Sequence, residues 1–123
     1  VEVTGTVDRV APYLDRAAVY ANALAHGAGT SLKVPEALAA GVPMVSTEVG
    51  VRGFALEAGV HYEAANDAAH FADALLLALR ERGALDARAR RARVRSEAYD
   101  WDSIGASFAR WVRCVARREA VPE

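Results

Sequence analysis

One stretch of the chain gathers residue types suited to holding an anion: His26-Gly27-Ala28-Gly29-Thr30-Ser31-Leu32-Lys33-Val34-Pro35-Glu36-Ala37-Leu38-Ala39-Ala40-Gly41. A glycine-rich turn that runs into a helix leaves backbone N–H groups unpaired at the positive end of the helix dipole, a cradle for phosphate. Gly27 and Gly29 let the backbone approach an anion with no side chain in between. Lys33, the only lysine in the chain, adds a flexible cationic point charge. Glu36 falls in the first helical turn, where an ionised carboxylate can accept hydrogen bonds from the hydroxyls of a ribose. The same residues also admit plainer readings. A first-turn glutamate can merely complement the dipole, and glycines in a loop can merely make a turn. The loop is not of the Walker type, because Lys33 is neither preceded by glycine nor followed by serine or threonine.

Other residues capable of chemistry are less well placed. His61 and His70 stand apart in the sequence and have no cysteine neighbour at metal-ligand spacing, so no metal site is expected. Ser46, Ser96, Ser103 and Ser107 lack the strand–turn–helix context of a nucleophile elbow. The arginines at 80, 82, 88, 90, 91, 93 and 95 are interrupted by Glu81, Asp86 and Glu97 and have no interleaved aromatics. They therefore read as a solvated helix face rather than a nucleic-acid surface. A formal net charge of −1 likewise argues against a dedicated nucleic-acid partner. The single cysteine, Cys114, excludes an internal disulfide. Its neighbours Trp111, Val112 and Val115 make it a small buried apolar residue on a helix. No apolar run reaches bilayer length, and Val1 to Thr6 reads as a strand rather than a signal peptide. The expected compartment is the cytoplasm, the inner face of the membrane included.

A site of this kind needs a sheet to present it. With 123 residues there is room for one compact domain. Val1 to Gly5 is β-branched and ended by glycine, so it predicts a strand, and Val10 to Arg16 a short helix with Pro12 in its first turn. Ala17 to Asn22 predicts a weaker strand, Pro43 to Thr47 a clearer one, and His61 to Glu63 a last brief one. Helices are expected over Lys33 to Ala40 and over Ala68 to Arg82, where Phe71, Leu75, Ala78 and Leu79 share a face. Beyond Gly83 the chain predicts helix until the tail Ala120 to Glu123, which is expected to fray. Strands alternating with helices make this an α/β chain with a Rossmann-like parallel sheet covered by helices.

Gly27-Ala28-Gly29 followed by Lys33-Val34-Pro35-Glu36-Ala37-Leu38-Ala39-Ala40-Gly41-Val42-Pro43-Met44-Val45-Ser46-Thr47 closely resembles the group-1 family of retaining glycosyltransferases. A branch of that family writes the segment as Gly-x-Gly, three residues, then Lys-Val-Leu-Glu-Ala-x-Ala-x-Gly-x-Pro-Val-Val-Ser-Thr. Val3 to Val7 with Val10 to Leu14 is similar to the preceding strand and helix, and Val49 to Phe54 to the loop after the next strand. Phe71 to Leu79 is similar to the helix beyond, and Tyr99-Asp100-Trp101 to the aromatic-Asp-Trp point near the family's C-terminus.

The resemblance implies a donor-binding C-terminal domain over residues 1–123, one of two Rossmann-like domains that face each other across a cleft. It implies hexosyl transfer from a nucleotide-diphosphate sugar of UDP or GDP type, in the building of a polysaccharide or glycoconjugate, with no resident cofactor and no obligatory metal. Glu36 would hold the donor ribose. The backbone of Gly27, Gly29, Thr30, Ser31 and Leu32 would face the diphosphate. Lys33, with Glu36 the candidate catalytic pair, would neutralise charge on the departing nucleotide.

Two departures qualify this. Ala28 stands where many relatives carry a first glutamate, and Ala23-Leu24-Ala25 where the branch often has Pro-Leu-Arg, so an arginine near the diphosphate is missing, and His26 either compensates in part or is simply a solvent-exposed loop residue. The family's N-terminal acceptor domain and the first strand–helix units of the donor domain have no counterpart here. The chain is accordingly expected to be a fragment, inactive in transfer on its own, with a non-catalytic interaction or regulatory module as the alternative. In the strand order 3-2-1-4-5-6, Val1–Gly5 would be third and Ala17–Asn22 fourth. The strand at Ala17–Asn22 would then have an open edge, which favours a homodimer through that edge.

Overall fold

The computed structural model describes residues 1–81 and 83–117. Arg82, with the expected end of the third helix, and the tail Ala120 to Glu123 lie outside the described residues. The order is α1 (Ala11–Leu14), β1 (Tyr20–Asn22), α2 (Lys33–Ala40), β2 (Met44–Ser46), β3 (Glu63–Ala64), α3 (Ala68–Arg80) and α4 (Asp86–Ser96). A 3-10 turn at Glu97–Tyr99 and α5 (Trp101–Arg117) follow. The strands form one parallel sheet in the order β1-β2-β3, with Tyr20 opposite Met44 and Val45 opposite Glu63. The chain is α/β, with a Rossmann-like parallel sheet flanked by helices.

The central strand explains the layering. All three residues of β2 are buried, as parallel strands covered on both faces must be. Because side chains alternate along a strand, Met44 joins Val34, Leu38, Val51, Tyr62 and Ala92 in one core layer. Val45 joins Ala65, Ala78 and Leu85 in the other, with Phe71, Ala74 and Leu75 packed against it. Helix α2 therefore covers one face and α3 the other. Val34, Ala37 and Leu38 are the buried residues of α2, and their i, i+3, i+4 spacing is the apolar stripe a half-buried helix requires. Gly41 ends α2 in the left-handed conformation (φ 68°), its N–H reaching the carbonyls of Ala37 and Leu38, a conformation that costs glycine nothing. Helix α4 buries only alanines, Ala89 and Ala92, and these small side chains let it lie close over α2.

Four expectations need correction. The strand predicted at Val1–Gly5 does not form: the segment is irregular, with Val1 and Val3 exposed. Strand propensity needs a neighbour to hydrogen-bond with and a face to bury, and β1 is bonded only to β2 among the described residues. The strand expected over Ala17–Asn22 is confined to its last three residues. On α3, Leu79 is 54% exposed and does not share the buried face of Phe71, Leu75 and Ala78. Cys114 is half-buried rather than buried, since α5 has no buried residue. That helix displays Trp101, Ile104, Phe108, Trp111, Val112 and Val115 to solvent. No described helix is long and apolar enough to cross a membrane.

The arginines of α4 have a structural use that spacing did not show. Arg88 Nε donates to the Gly59 carbonyl at 2.8 Å, Arg91 Nε to Val60 at 3.0 Å and Arg95 Nε to Ala55 at 3.1 Å. Arg88 also pairs with Glu63. One helix face thereby ties down the long connection between β2 and β3, and only Arg90 and Arg93 of this group make no such bond among the described residues.

Helix α3 opens on a pair the sequence reading passed over. Asp67 caps it by accepting from the N–H groups of Ala69 and His70, and its other oxygen meets His70 Nδ1 at 2.5 Å. The hydrogen bonds from His70 hold the Asp67 carboxyl below its ordinary range, and the Asp67 hydrogen bond and charge raise the His70 imidazole above its own. By linkage, the histidine's contribution is present below the ordinary imidazole range and lost as pH rises through its raised value. The aspartate's is present above the ordinary carboxylate range and lost as pH falls through its lowered value. The cap is therefore strongest in the mildly acidic window between them. An NMR titration should show the His70 midpoint fall in Asp67→Asn; an unchanged midpoint would contradict the pairing.

Candidate functional site

The carboxyl ends of β1 and β2 are joined by side chains before their loops diverge. Asn22 Nδ2 donates to the Gly50 carbonyl at 3.0 Å, and the Thr47 N–H donates to the Asn22 carbonyl at 3.2 Å. Thr47 Oγ1 donates to the Leu24 carbonyl at 2.7 Å and accepts from the Gly50 N–H at 3.0 Å. Ser46, fully buried, places its hydroxyl between the carbonyls of Thr47 (2.9 Å) and Asn22 (3.3 Å). Gly50 has to be glycine here, because a Cβ would lie 2.5 Å from Ser46 Oγ and 2.6 Å from Asn22 Nδ2. Every hydroxyl and amide in this knot is used, which is what makes polar groups tolerable at a sheet edge facing the core.

Beyond the knot, residues 23–30 are exposed without exception. Ligands of open parallel sheets bind at this carboxyl edge. Gly29 has φ +118° with open space where a Cβ would be. The Ser31 carbonyl accepts from the Val34 N–H at 3.1 Å, forming the first turn of α2. Leu32 is the N-cap residue and 75% exposed, and no side chain caps the helix. The Val34 N–H is thus used and Pro35 has none, so the Lys33 N–H is the amide that the first turn of α2 leaves without a backbone partner among the described residues. Lys33 begins the helix, exposed and without a carboxylate partner among the described residues.

Glu36 lies in the first turn of α2, exposed. It makes neither a salt bridge nor a side-chain hydrogen bond among the described residues. Burial, and after it the negative charge of Glu36, pushes the Tyr20 phenol above its ordinary range. Glu36 stands on the rim of two concavities. The larger, of 710 Å³, is lined by Thr30, Leu32 and Pro35 together with Phe54, Tyr99 and Trp101. The smaller, of 520 Å³, opens toward α1. The aromatic wall is braced: Phe54 meets Tyr99 edge-on at 5.1 Å, and the Tyr99 hydroxyl accepts from the Ala55 N–H at 2.7 Å.

Thus the structure brings Thr30, Leu32 and Glu36 to one groove, with Lys33 beside them at the helix start, while Gly27 and Gly29 lie in the exposed loop leading to it. His26 is exposed, and its side chain makes no hydrogen bond or salt bridge among the described residues. The residue that spacing did not find is Arg52. It donates through Nη2 to the Gly27 carbonyl, across 25 positions of sequence. The adjacent Gly53 (φ +88°) sits so close to Thr30 that a Cβ would lie 2.7 Å from its Oγ1.

In comparisons with known proteins, the family model described as glycosyl transferases group 1 matches residues 1–81. No curated protein matches the chain.

The knot predicts a measurable weakness. Thr47→Val removes the donor to Leu24 and the acceptor for Gly50 within a buried setting, and should cost about 1–3 kcal/mol. Gly50→Ala forces a clash at Asn22 and Ser46, with a cost of about the same size. Urea denaturation of both variants checks this. Wild-type midpoints would show that the two loops are not held by these bonds.

Proposed function

The chain belongs to the group-1 glycosyl transferases, and from that premise we infer that the loop Gly27–Lys33 and the first turn of α2 hold the nucleotide-diphosphate part of a sugar donor. The observation that carries this is the uncapped N-terminus of α2 with Lys33 and Glu36 both exposed and uncommitted beside the groove. The positive end of a helix dipole, the Lys33 N–H and the Lys33 ammonium suit a diphosphate. A carboxylate in the same first turn suits two vicinal hydroxyls of a ribose, because an ionised carboxylate only accepts hydrogen bonds.

The chemistry follows from where charge develops. When the sugar–phosphate bond of the donor breaks, negative charge accumulates on the departing nucleoside diphosphate. On this reading Lys33 and the backbone amides of the loop from Gly29 to Lys33 would stabilise that charge. Glu36 would anchor the ribose and thereby fix the diphosphate against the helix end, which makes it a positioning group as much as a binding one. On this proposal the sugar transferred is a hexose, delivered with retention of configuration, and the nucleotide is the leaving group.

A thermal-denaturation panel with UDP, GDP and ADP, each with and without attached glucose, tests the assignment. A ligand that binds only the folded state raises stability by about 2.7 kcal/mol at a hundred-fold excess over its dissociation constant. At least one nucleotide should raise the melting temperature of the wild type. Glu36→Ala should keep the unliganded melting temperature and lose most of the shift. Equal shifts in the two proteins would leave Glu36 as a mere dipole partner, and no shift with any nucleotide would remove the donor-site proposal.

A further inference from the structure

We propose that Arg52, on the loop after β2, is the cation that meets the donor diphosphate in place of the arginine this chain lacks at Ala25; the proposal rests on the donor-site reading above. Residues 52–54 run alongside residues 27–30. Arg52 bonds the Gly27 carbonyl, Gly53 abuts Thr30, and Phe54 and Thr30 line the same groove. The two strands of loop are held at their roots by the Asn22–Gly50 and Thr47–Leu24 hydrogen bonds, so Arg52 has a fixed place beside the glycine loop.

The chemistry of the side chain suits that place. A guanidinium carries five N–H donors, and one bond to Gly27 leaves the others free. No carboxylate pairs with Arg52 among the described residues, and the side chain is exposed. Its charge is therefore not cancelled by the protein, and its planar fork matches two phosphate oxygens better than a lysine does. The bond to Gly27 also fixes one peptide plane of the loop. Arg52 thus acts in two ways, as a charge for the diphosphate and as a brace for the backbone that receives it.

Substitution separates these roles. Arg52→Gln removes the charge while keeping an amide donor on a shorter stem, and Arg52→Ala removes both charge and donor. The probes are UDP, GDP and ADP together with the corresponding phosphate-free nucleosides, titrated calorimetrically into wild type, both Arg52 variants and Glu36→Ala. Arg52→Gln should weaken the nucleoside diphosphate that binds by roughly ten-fold or more, the scale of a charged hydrogen bond, and leave its nucleoside nearly unchanged. The loss should shrink as salt rises. Glu36→Ala should weaken nucleoside and nucleotide alike. If Glu36→Ala weakens binding while Arg52→Gln and Arg52→Ala bind the diphosphate like wild type, the donor site stands and the role of Arg52 is overturned. Equal losses for nucleoside and diphosphate in Arg52→Gln would also overturn it, since they would mark a loop defect rather than a missing charge. If no nucleotide binds the wild type, both proposals fall together.

Discussion

The hydrogen-bond knot at the carboxyl ends of β1 and β2 is the constraint on which the site depends. β1 and β2 are only three residues long, too short for ladder bonds alone to fix the loops that leave them. Thr47 reaches both Leu24 and Gly50, and Asn22 reaches Gly50, so the loop entering α2 and the loop after β2 leave the sheet as one unit. The glycine-rich turn, the open start of α2 and Arg52 are thereby set beside each other. The same polar groups would be a burden if left unpaired, because burying an unsatisfied donor costs more than a made bond returns. Paired among themselves, they give a rigid base to a loop that is otherwise wholly solvent-exposed.

The rest of the fold braces the far wall of the groove. Helix α4 lies on α2 through alanines, and its arginines bind three carbonyls of the β2–β3 connection. That connection delivers Phe54 to Tyr99. Glu36 therefore shares its groove with aromatic rings that this connection helps to place. A charged helix face, which by composition reads as solvated, is here partly a set of backbone clamps.

How much of this was legible in the sequence varies by residue. Lys33–Ala40 could be read to the residue because its signals agree: an apolar stripe, an acidic first turn, and Gly41 just past the end. Pro43–Thr47 was legible because a buried parallel strand is a short apolar run. The failure at Val1–Gly5 has one cause. A strand is a relation between segments, and β-branched residues do not form one without a partner. Leu79 was misplaced because α3 is apolar nearly all round, so periodicity could not say which leucines face the core. The place of Lys33 and Glu36 in the first turn of α2 was legible from local spacing. Arg52 was not, since its partner Gly27 lies 25 positions away and no local pattern encodes such a contact. The Asp67–His70 pair carried a signal that could have found it: an aspartate at a helix start with a histidine three residues on is a cap by the ordinary rules.

The central claim is that a nucleoside diphosphate sits on the loop between β1 and α2. Backbone amide NMR of the 15N-labelled chain during titration with UDP, GDP and ADP tests it most directly, because it reports location rather than affinity. The account predicts that the nucleotide that binds moves the amides of Ala28 to Lys33, together with Glu36 and the Arg52 side chain, in a saturable way. Saturable shifts confined instead to the arginines of α4, with the loop from Ala28 to Lys33 unmoved, would contradict it.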